Sequence, residues 1–184
     1  MPAVTIEPIS LQFAAAAQAL ASDPRIGATS NVPSPYPPGR ATTWIRHVMQ
    51  EMASGTETTF AVLADRTFVG VCSVLNIGGA PRSGELGYWI GVPFWGRGYA
   101  SAAARLVVDH GFVEHDLASI VSSCLETNAA SFRVLVKTGF RHTGVACFPQ
   151  LKWGPDARFA TFVLTRDEWR SRNRSTDSPI PIRP

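Results

Sequence analysis

The run Gly84-Glu85-Leu86-Gly87-Tyr88-Trp89-Ile90, followed at once by Pro93-Phe94-Trp95-Gly96-Arg97-Gly98-Tyr99-Ala100-Ser101, constrains this chain more than any other stretch. A strand-like run ends in a glycine-punctuated turn, and the turn opens directly into Ala- and Val-rich helix. A second β-rich run, Ser119 to Leu125, follows that helix. Strand, helix and strand in this order make a βαβ unit, which requires two parallel neighbours and a right-handed crossover. The turn also carries chemical meaning. Gly96 and Gly98 let the backbone approach a ligand with no Cβ in the way. The first turn of a helix has amide N–H groups without intrahelical partners, and the helix dipole adds partial positive charge. Together they suit a phosphate or pyrophosphate, although any tight strand-to-helix turn also uses glycine.

The rest of the chain fits around this unit. Val4 to Ile9 reads as a first strand, and Leu11 to Ser22 as a helix that stops before Pro24. The prolines between Ser30 and Gly39 exclude regular helix there. Gly39 to Met52 is helical by pattern, with Trp44, Val48 and Met52 on one stripe. Thr58–Ala64 and Thr67–Leu75 flank a hairpin turn at Asp65-Arg66. In the helix from Gly98 to Glu114, Ala103, Leu106, Val107 and His110 recur at core-facing spacing. Asn128 to Thr138 is a second capped helix, with Asn128 as N-cap, Phe132, Leu135 and Val136 on one face, and Gly139 past its end. Phe140–Phe148 and Arg158–Leu164 complete the strands, separated by Pro149 and the turn-forming Trp153-Gly154-Pro155-Asp156. The expected fold is a single α+β domain over residues 1–170, with a mixed, mostly antiparallel sheet flanked by helices. From Trp169 onward the chain is polar, so residues 171–184 are expected to form a flexible tail.

Composition bounds the function. At 184 residues and 45% hydrophobic content the chain can fill one core. It has no apolar run long enough to span a bilayer, and its first residues lack the features of a secretory signal. The expected compartment is the cytoplasm. Cys72, Cys124 and Cys147 are odd in number and lack Cys-x-x-Cys spacing, so buried reduced thiols are expected. His47, His110, His115 and His142 form no metal pattern either, and no metal is expected. The net charge is only +3, and the cluster Arg170, Arg172, Arg174 reads as solvated surface. Neither a membrane nor direct nucleic-acid contact is implied, and the expected assembly is a monomer or homodimer.

A further segment makes the reading specific: Asn128-Ala129-Ala130-Ser131-Phe132-Arg133-Val134-Leu135-Val136-Lys137-Thr138-Gly139-Phe140. With the Glu85–Ile90 and Trp95–Ala100 motifs, in this order and spacing, it resembles the GNAT superfamily of acyl-CoA-dependent N-acetyltransferases. Within that superfamily it is similar to the Rim-type ribosomal-protein-alanine branch. The likeness covers residues 60 to 165 well, and Asn31 to Pro37 with Trp44-Ile45 more loosely. It departs from the commoner superfamily pattern at Trp95, where Gln or Arg is usual.

The resemblance implies two parallel strands splayed into a V that admits the pantetheine arm. It implies an acyltransferase acting through a ternary complex, with acetyl-CoA as cosubstrate and a primary amine as acceptor. A protein N-terminal amino group is the favoured acceptor. The alternatives are a small-molecule amine or antibiotic, as in a detoxifying acetyltransferase, or a non-catalytic acyl-CoA-binding module. Such transfer requires a neutral amine and a protonated or stabilised leaving thiolate. By the resemblance, Glu85 takes the amine proton and Ser131 donates to the leaving sulfur. Main-chain atoms of Tyr88, Trp89 and Ile90 bind pantetheine, as a peptide adds to a sheet edge. The backbone N–H groups of Trp95, Gly96, Arg97, Gly98, Tyr99, Ala100 and Ser101 hold the pyrophosphate, and Asn128 bonds the pantetheine amide. Residue chemistry alone leaves other roles open: a strand-edge carboxylate for Glu85, a first-turn helix hydroxyl for Ser131, and packing for the Trp95 indole. Tyr36, Trp44, Trp89 and Trp153 read as packing residues.

Overall fold

The structure, a computed structural model, describes residues 3–148 and 152–174. Seven strands form one sheet in the order β1-β2-β3-β4-β5-β7-β6. They are β1 (Val4–Pro8), β2 (Thr58–Ala64), β3 (Thr67–Gly78), β4 (Ser83–Ile90), β5 (Ser119–Leu125), β6 (Arg141–Cys147) and β7 (Arg158–Thr165). All neighbours are antiparallel except β4 and β5, which are parallel and joined through a helix, as a βαβ unit requires. The hairpin turn at Asp65-Arg66 has both residues at positive φ, the backbone that a two-residue hairpin turn demands.

Six helices flank the sheet: α1 (Ala14–Ala21), α2 (Pro24–Thr29), α3 (Arg40–Ser54), α4 (Tyr99–Glu114), α5 (Ala129–Thr138) and α6 (Arg166–Arg174). Two cores result, one on each face. Ala103, Ala104, Val107, Val108 and Phe112 of α4 pack with Leu135 of α5 over Cys72, Leu86, Ile90, Ile120 and Phe162. On the other face Ala17 of α1 and Ala41, Ile45 and Val48 of α3 cover Ala61, Leu63, Phe68 and Val71. Trp44, Met52 and Tyr36 pack around this second core.

Several expectations need correction. Pro24 does not simply end a helix. It is the first residue of α2, where its missing N–H costs nothing, and Asp23 caps it by accepting from Arg25 N at 3.0 Å. Leu106 and Val136 lie on exposed rather than core-facing sides, at 39% and 48% exposure. Cys72 and Cys124 are buried as expected, but Cys147 is exposed. The polar stretch from Trp169 is helical as far as Arg174. Thr165 and Glu168 form a capping box: Glu168 Oε2 accepts from both the N–H and the hydroxyl of Thr165 at 2.8 Å, while Glu168 N donates to Thr165 Oγ1. Trp169 then stacks on Phe112 and donates its indole N–H to Asp109 Oδ1 at 2.7 Å. The remainder of the expected tail, 175–184, lies outside the described residues.

Candidate active site

The site begins where the sheet comes apart. β4 and β5 pair only at Ser83↔Ser119, Gly84↔Ile120 and Glu85↔Val121. Past that point β4 keeps only β3 as partner, and β5 only β7. At the fork, the buried hydroxyl of Ser122 donates to Leu86 O at 2.8 Å, replacing the next rung with a side chain. Trp95 Nε1 donates to Ile90 O at 2.5 Å. The carbonyls of Leu86 and Ile90 therefore point away from β3, whereas Gly91 N turns toward it, onto Val69 O. By the two-residue strand period, the N–H and C=O of Tyr88 face the gap. This is the main-chain edge that the expected pantetheine contact needs.

The segment expected to hold the pyrophosphate follows β4 and opens α4. Gly96 and Gly98 both hold positive φ, 76° and 83°, and Gly98 is the N-cap of α4. The first helical bond runs from Ala102 N to Gly98 O. No side chain caps α4 and its first turn carries no acidic residue, so no internal group competes for its amides. The donor set is shorter than expected by one: Trp95 N is used within a 3-10 turn, bonding Val92 O at 3.2 Å. The donors left for an anion run from Gly96 to Ser101.

A cavity of about 500 Å³ extends from this segment through the gap. Its lining includes Tyr88, Trp89, Ile90, Trp95, Gly96, Gly98, Tyr99, Ala100, Ser101, Asn128 and Ser131, all expected from the sequence. Asn128 caps α5, its Oδ1 accepting from Ser131 N at 3.1 Å. The Oγ of Ser131 lies 2.7 Å from the phenol oxygen of Tyr88 on β4. Burial pushes the Tyr88 phenol far above its ordinary pKa, with the Ser131 bond opposing. The hydroxyl thus remains a proton donor at neutral pH. Cys124 also reaches Ser131, and burial raises its thiol too.

Other expected residues stand apart. Arg97 is exposed, with its guanidinium carbon 5.8 Å from the centroid of the Phe94 ring, and it does not line the cavity. Trp95 is not buried packing, since it is 46% exposed and its indole tethers the turn to Ile90 O. Glu85 is absent from the cavity lining. It shares its sheet face with Trp89, which packs on the second core, whereas Tyr88 belongs to the first. Its carboxylate accepts from Asn76 Nδ2 at 3.3 Å and is not paired with an Arg. The structure therefore brings Ser131 together with Tyr88, and not with Glu85.

Sequence reasoning missed the α2 end of the cavity, formed by Ile26, Thr29 and Ser30, and the α5 cations Arg133 and Lys137. The paired cations were legible as an i, i+4 couple on one helix face. The Asp23-Pro24 pair was a local start signal for α2 that sequence reasoning passed over.

Free amides at the start of α4, an unzipped strand edge and a hydroxyl pair lie along one cavity, an arrangement suited to a long phosphorylated cofactor. The acetyltransferase (GNAT) domain model matches residues 4–141, and the chain belongs to that family, the acetyl-transferring N-acetyltransferases. Among curated relatives, an uncharacterized N-acetyltransferase, YnaD of Bacillus subtilis, is 32% identical over 46% of this chain and 50% of its own length. The ribosomal-protein-serine acetyltransferase of Escherichia coli is 27% identical over 56% of each. The chain spans about half the length of such relatives. Among solved structures, RimJ of Mycobacterium smegmatis in complex with CoA-disulfide has a TM-score of 0.80 at 26% identity, covering 90% of this chain and 83% of its own. Spermidine N-acetyltransferase from Vibrio cholerae, in complex with CoA and spermine, shares the fold with a TM-score of 0.78 at 15% identity, covering 91% and 98%. Among the described residues no helix is long and apolar enough to cross a membrane.

Proposed function

We propose that this protein moves acetyl from acetyl-CoA to a protein N-terminal amino group. The observation that carries the reading is the single cavity joining the α4 socket to the Tyr88–Ser131 hydroxyl pair. In this reading the Gly96–Ser101 amides hold the pyrophosphate and the gap-facing main chain of Tyr88 holds the pantetheine. Asn128, whose Oδ1 is committed to capping, meets the pantetheine amide through its side-chain N–H₂. The neutral amine attacks the thioester carbonyl, the carbon–sulfur bond breaks, and the thiolate takes a proton from the hydroxyl pair. Glu85 acts from the other sheet face, where it attracts the amine and accepts its proton through water. A donor pair at the thioester end gives a merely acyl-CoA-binding module no purpose.

The likeness to RimJ and to the ribosomal-protein-serine enzyme supports a protein N-terminus as acceptor. The lining also supports it, because among the described residues the charged members of the lining, Arg133 and Lys137, are cations. The test is an acetylation screen of Ala- and Ser-starting peptides against spermidine, free amino acids and aminoglycosides, read as released CoA thiol. Preference for the peptides is expected. Turnover confined to spermidine or an aminoglycoside would replace this acceptor with a small amine.

A further inference from the structure

The short helix α2 lines the cavity through Ile26, Thr29 and Ser30. A helix of six residues has little stability of its own, and its last carbonyls need partners. Four carbonyls of the helix are met by side chains. Arg25 O accepts from Thr29 Oγ1 at 3.3 Å, and Ile26 O from Ser30 Oγ at 2.7 Å. The other two partners come from the far end of the chain. Lys152 Nζ donates to Gly27 O and to Val32 O, each at 2.5 Å, and Trp153 Nε1 donates to Ala28 O at 3.0 Å. Trp153 is anchored in turn, edge-on against buried Phe159 of β7. One ammonium group reaches both α2 and the loop after it because the two lie close together. A Cβ on Gly27 would sit 2.5 Å from Ser34 Cβ and 3.1 Å from Val32 O. Gly27 is therefore what lets both carbonyls converge on Lys152.

We infer that Lys152 and Trp153 are positioning residues for the acceptor: they strap α2 into place as the wall against which the incoming amine is set, and they act on acceptor binding without acting on the cofactor. The inference rests on reading the α2 end as the acceptor's side. Among the described residues no hydrogen bond joins Gly96–Ser101 to Lys152 or Trp153, so the two can be separated experimentally. A charge-assisted bond to a carbonyl is among the stronger polar contacts available, and a small misplacement of a positioning element costs disproportionately.

The test compares wild type, Lys152→Met and Gly27→Ala in the full chain, with circular dichroism as the check on folding. Lys152→Met is expected to raise KM for the best peptide acceptor on the order of ten- to a hundredfold while the Kd for acetyl-CoA stays unchanged. Gly27→Ala should do the same, and the double variant should be no worse than the worse single one, since both break one contact. Hydrolysis of acetyl-CoA without acceptor supplies a readout that needs no identified amine. It should rise in Lys152→Met, as a loosened wall admits water to the thioester. Unchanged acceptor KM and unchanged hydrolysis would overturn the inference, as would a parallel loss of acetyl-CoA affinity. If wild type acetylates no peptide, the proposed acceptor fails and the hydrolysis readout still decides the strap.

Discussion

Tyr88→Phe separates catalysis from architecture, because its two expected effects differ greatly in size. The phenol oxygen lies 2.7 Å from Ser131 Oγ, and both residues are partly buried. Removing it deletes two neutral hydrogen bonds, to Ser131 Oγ and to Ser131 O at 3.3 Å, each worth about 0.5–1.5 kcal/mol. For a chain of 184 residues that lowers Tm by roughly 2–4 °C per kcal/mol, measured by calorimetry. The ring stays, so the packing around Leu86 and Ile90 is preserved. If the hydroxyl pair protonates the departing thiolate, kcat should fall ~10²–10⁴-fold, the usual worth of a positioned proton donor. Affinity for acetyl-CoA should hold, because the strand offers its main chain to the cofactor. Ser131→Ala should fall along the same path, and the double variant should be no slower than the worse single one, as for groups that act as a unit. The assay is release of free CoA thiol with saturating acceptor. A Tyr88→Phe enzyme with wild-type kcat and a lowered Tm would refute the argument and leave the pair as a structural tie between β4 and α5.

Other outcomes are expected from the same geometry. Saturating acetyl-CoA should stabilise the fold by roughly 2.7 kcal/mol at a hundredfold excess over its Kd, and Gly98→Glu should abolish that shift by placing a negative side chain in the socket; a wild-type melting curve indifferent to acetyl-CoA would count against the socket. Glu85→Gln should lower turnover and flatten the acid limb of its pH profile, with acetyl-CoA affinity unchanged, whereas wild-type rates at every pH would make Glu85 structural. Burial, with help from Glu51, holds the Glu57 carboxyl above the ordinary glutamate range, against the hydrogen bond from Thr59. The folded chain thus binds that proton more tightly than the unfolded one, and stability is lost as pH rises from the ordinary glutamate pKa through the raised value. Glu57→Gln should therefore stabilise at neutral pH and do little in acid, and an equal gain at both would refute this. Truncation after Arg170 should lower Tm, because it removes the last turn of α6 and Arg172, whose guanidinium lies against Gly139 at the end of α5; unchanged melting would make that contact inconsequential.

What the sequence revealed depended on how far apart the cooperating residues lie. α5 was legible because its signals are local: Asn128 at the start, Gly139 at the end, apolar spacing between. The βαβ unit was legible for the same reason, and the α4 socket with it. Tyr88 and Ser131 are separated by 43 positions, and nothing in either neighbourhood announces their contact. The separation of Glu85 from that pair was there to be read. Glu85 and Tyr88 are three positions apart on a strand, and a period of two puts them on opposite faces. The capping box Thr165-Arg166-Asp167-Glu168 was equally readable as a helix start, but the polar composition beyond Trp169 outweighed it. α2 was half legible: Asp23-Pro24 marks its start, but two of the side chains that meet its carbonyls arrive from Lys152 and Trp153.

The fork between β4 and β5 has a mechanical consequence. Three ladder pairs and the Ser122–Leu86 bond beside them join the edge of β4 to that of β5, all at one end of the seam. Under load, a sheet shares force among rungs pulled in parallel, but a seam closed at one end only is peeled rung by rung. The seam is therefore where the molecule should part first if β4 and β5 are pulled apart. A cofactor bonded to β4 on one side and to the start of α5 on the other would act as a rivet across it. In a single-molecule pulling experiment, rupture force should rise when the ligand is bound.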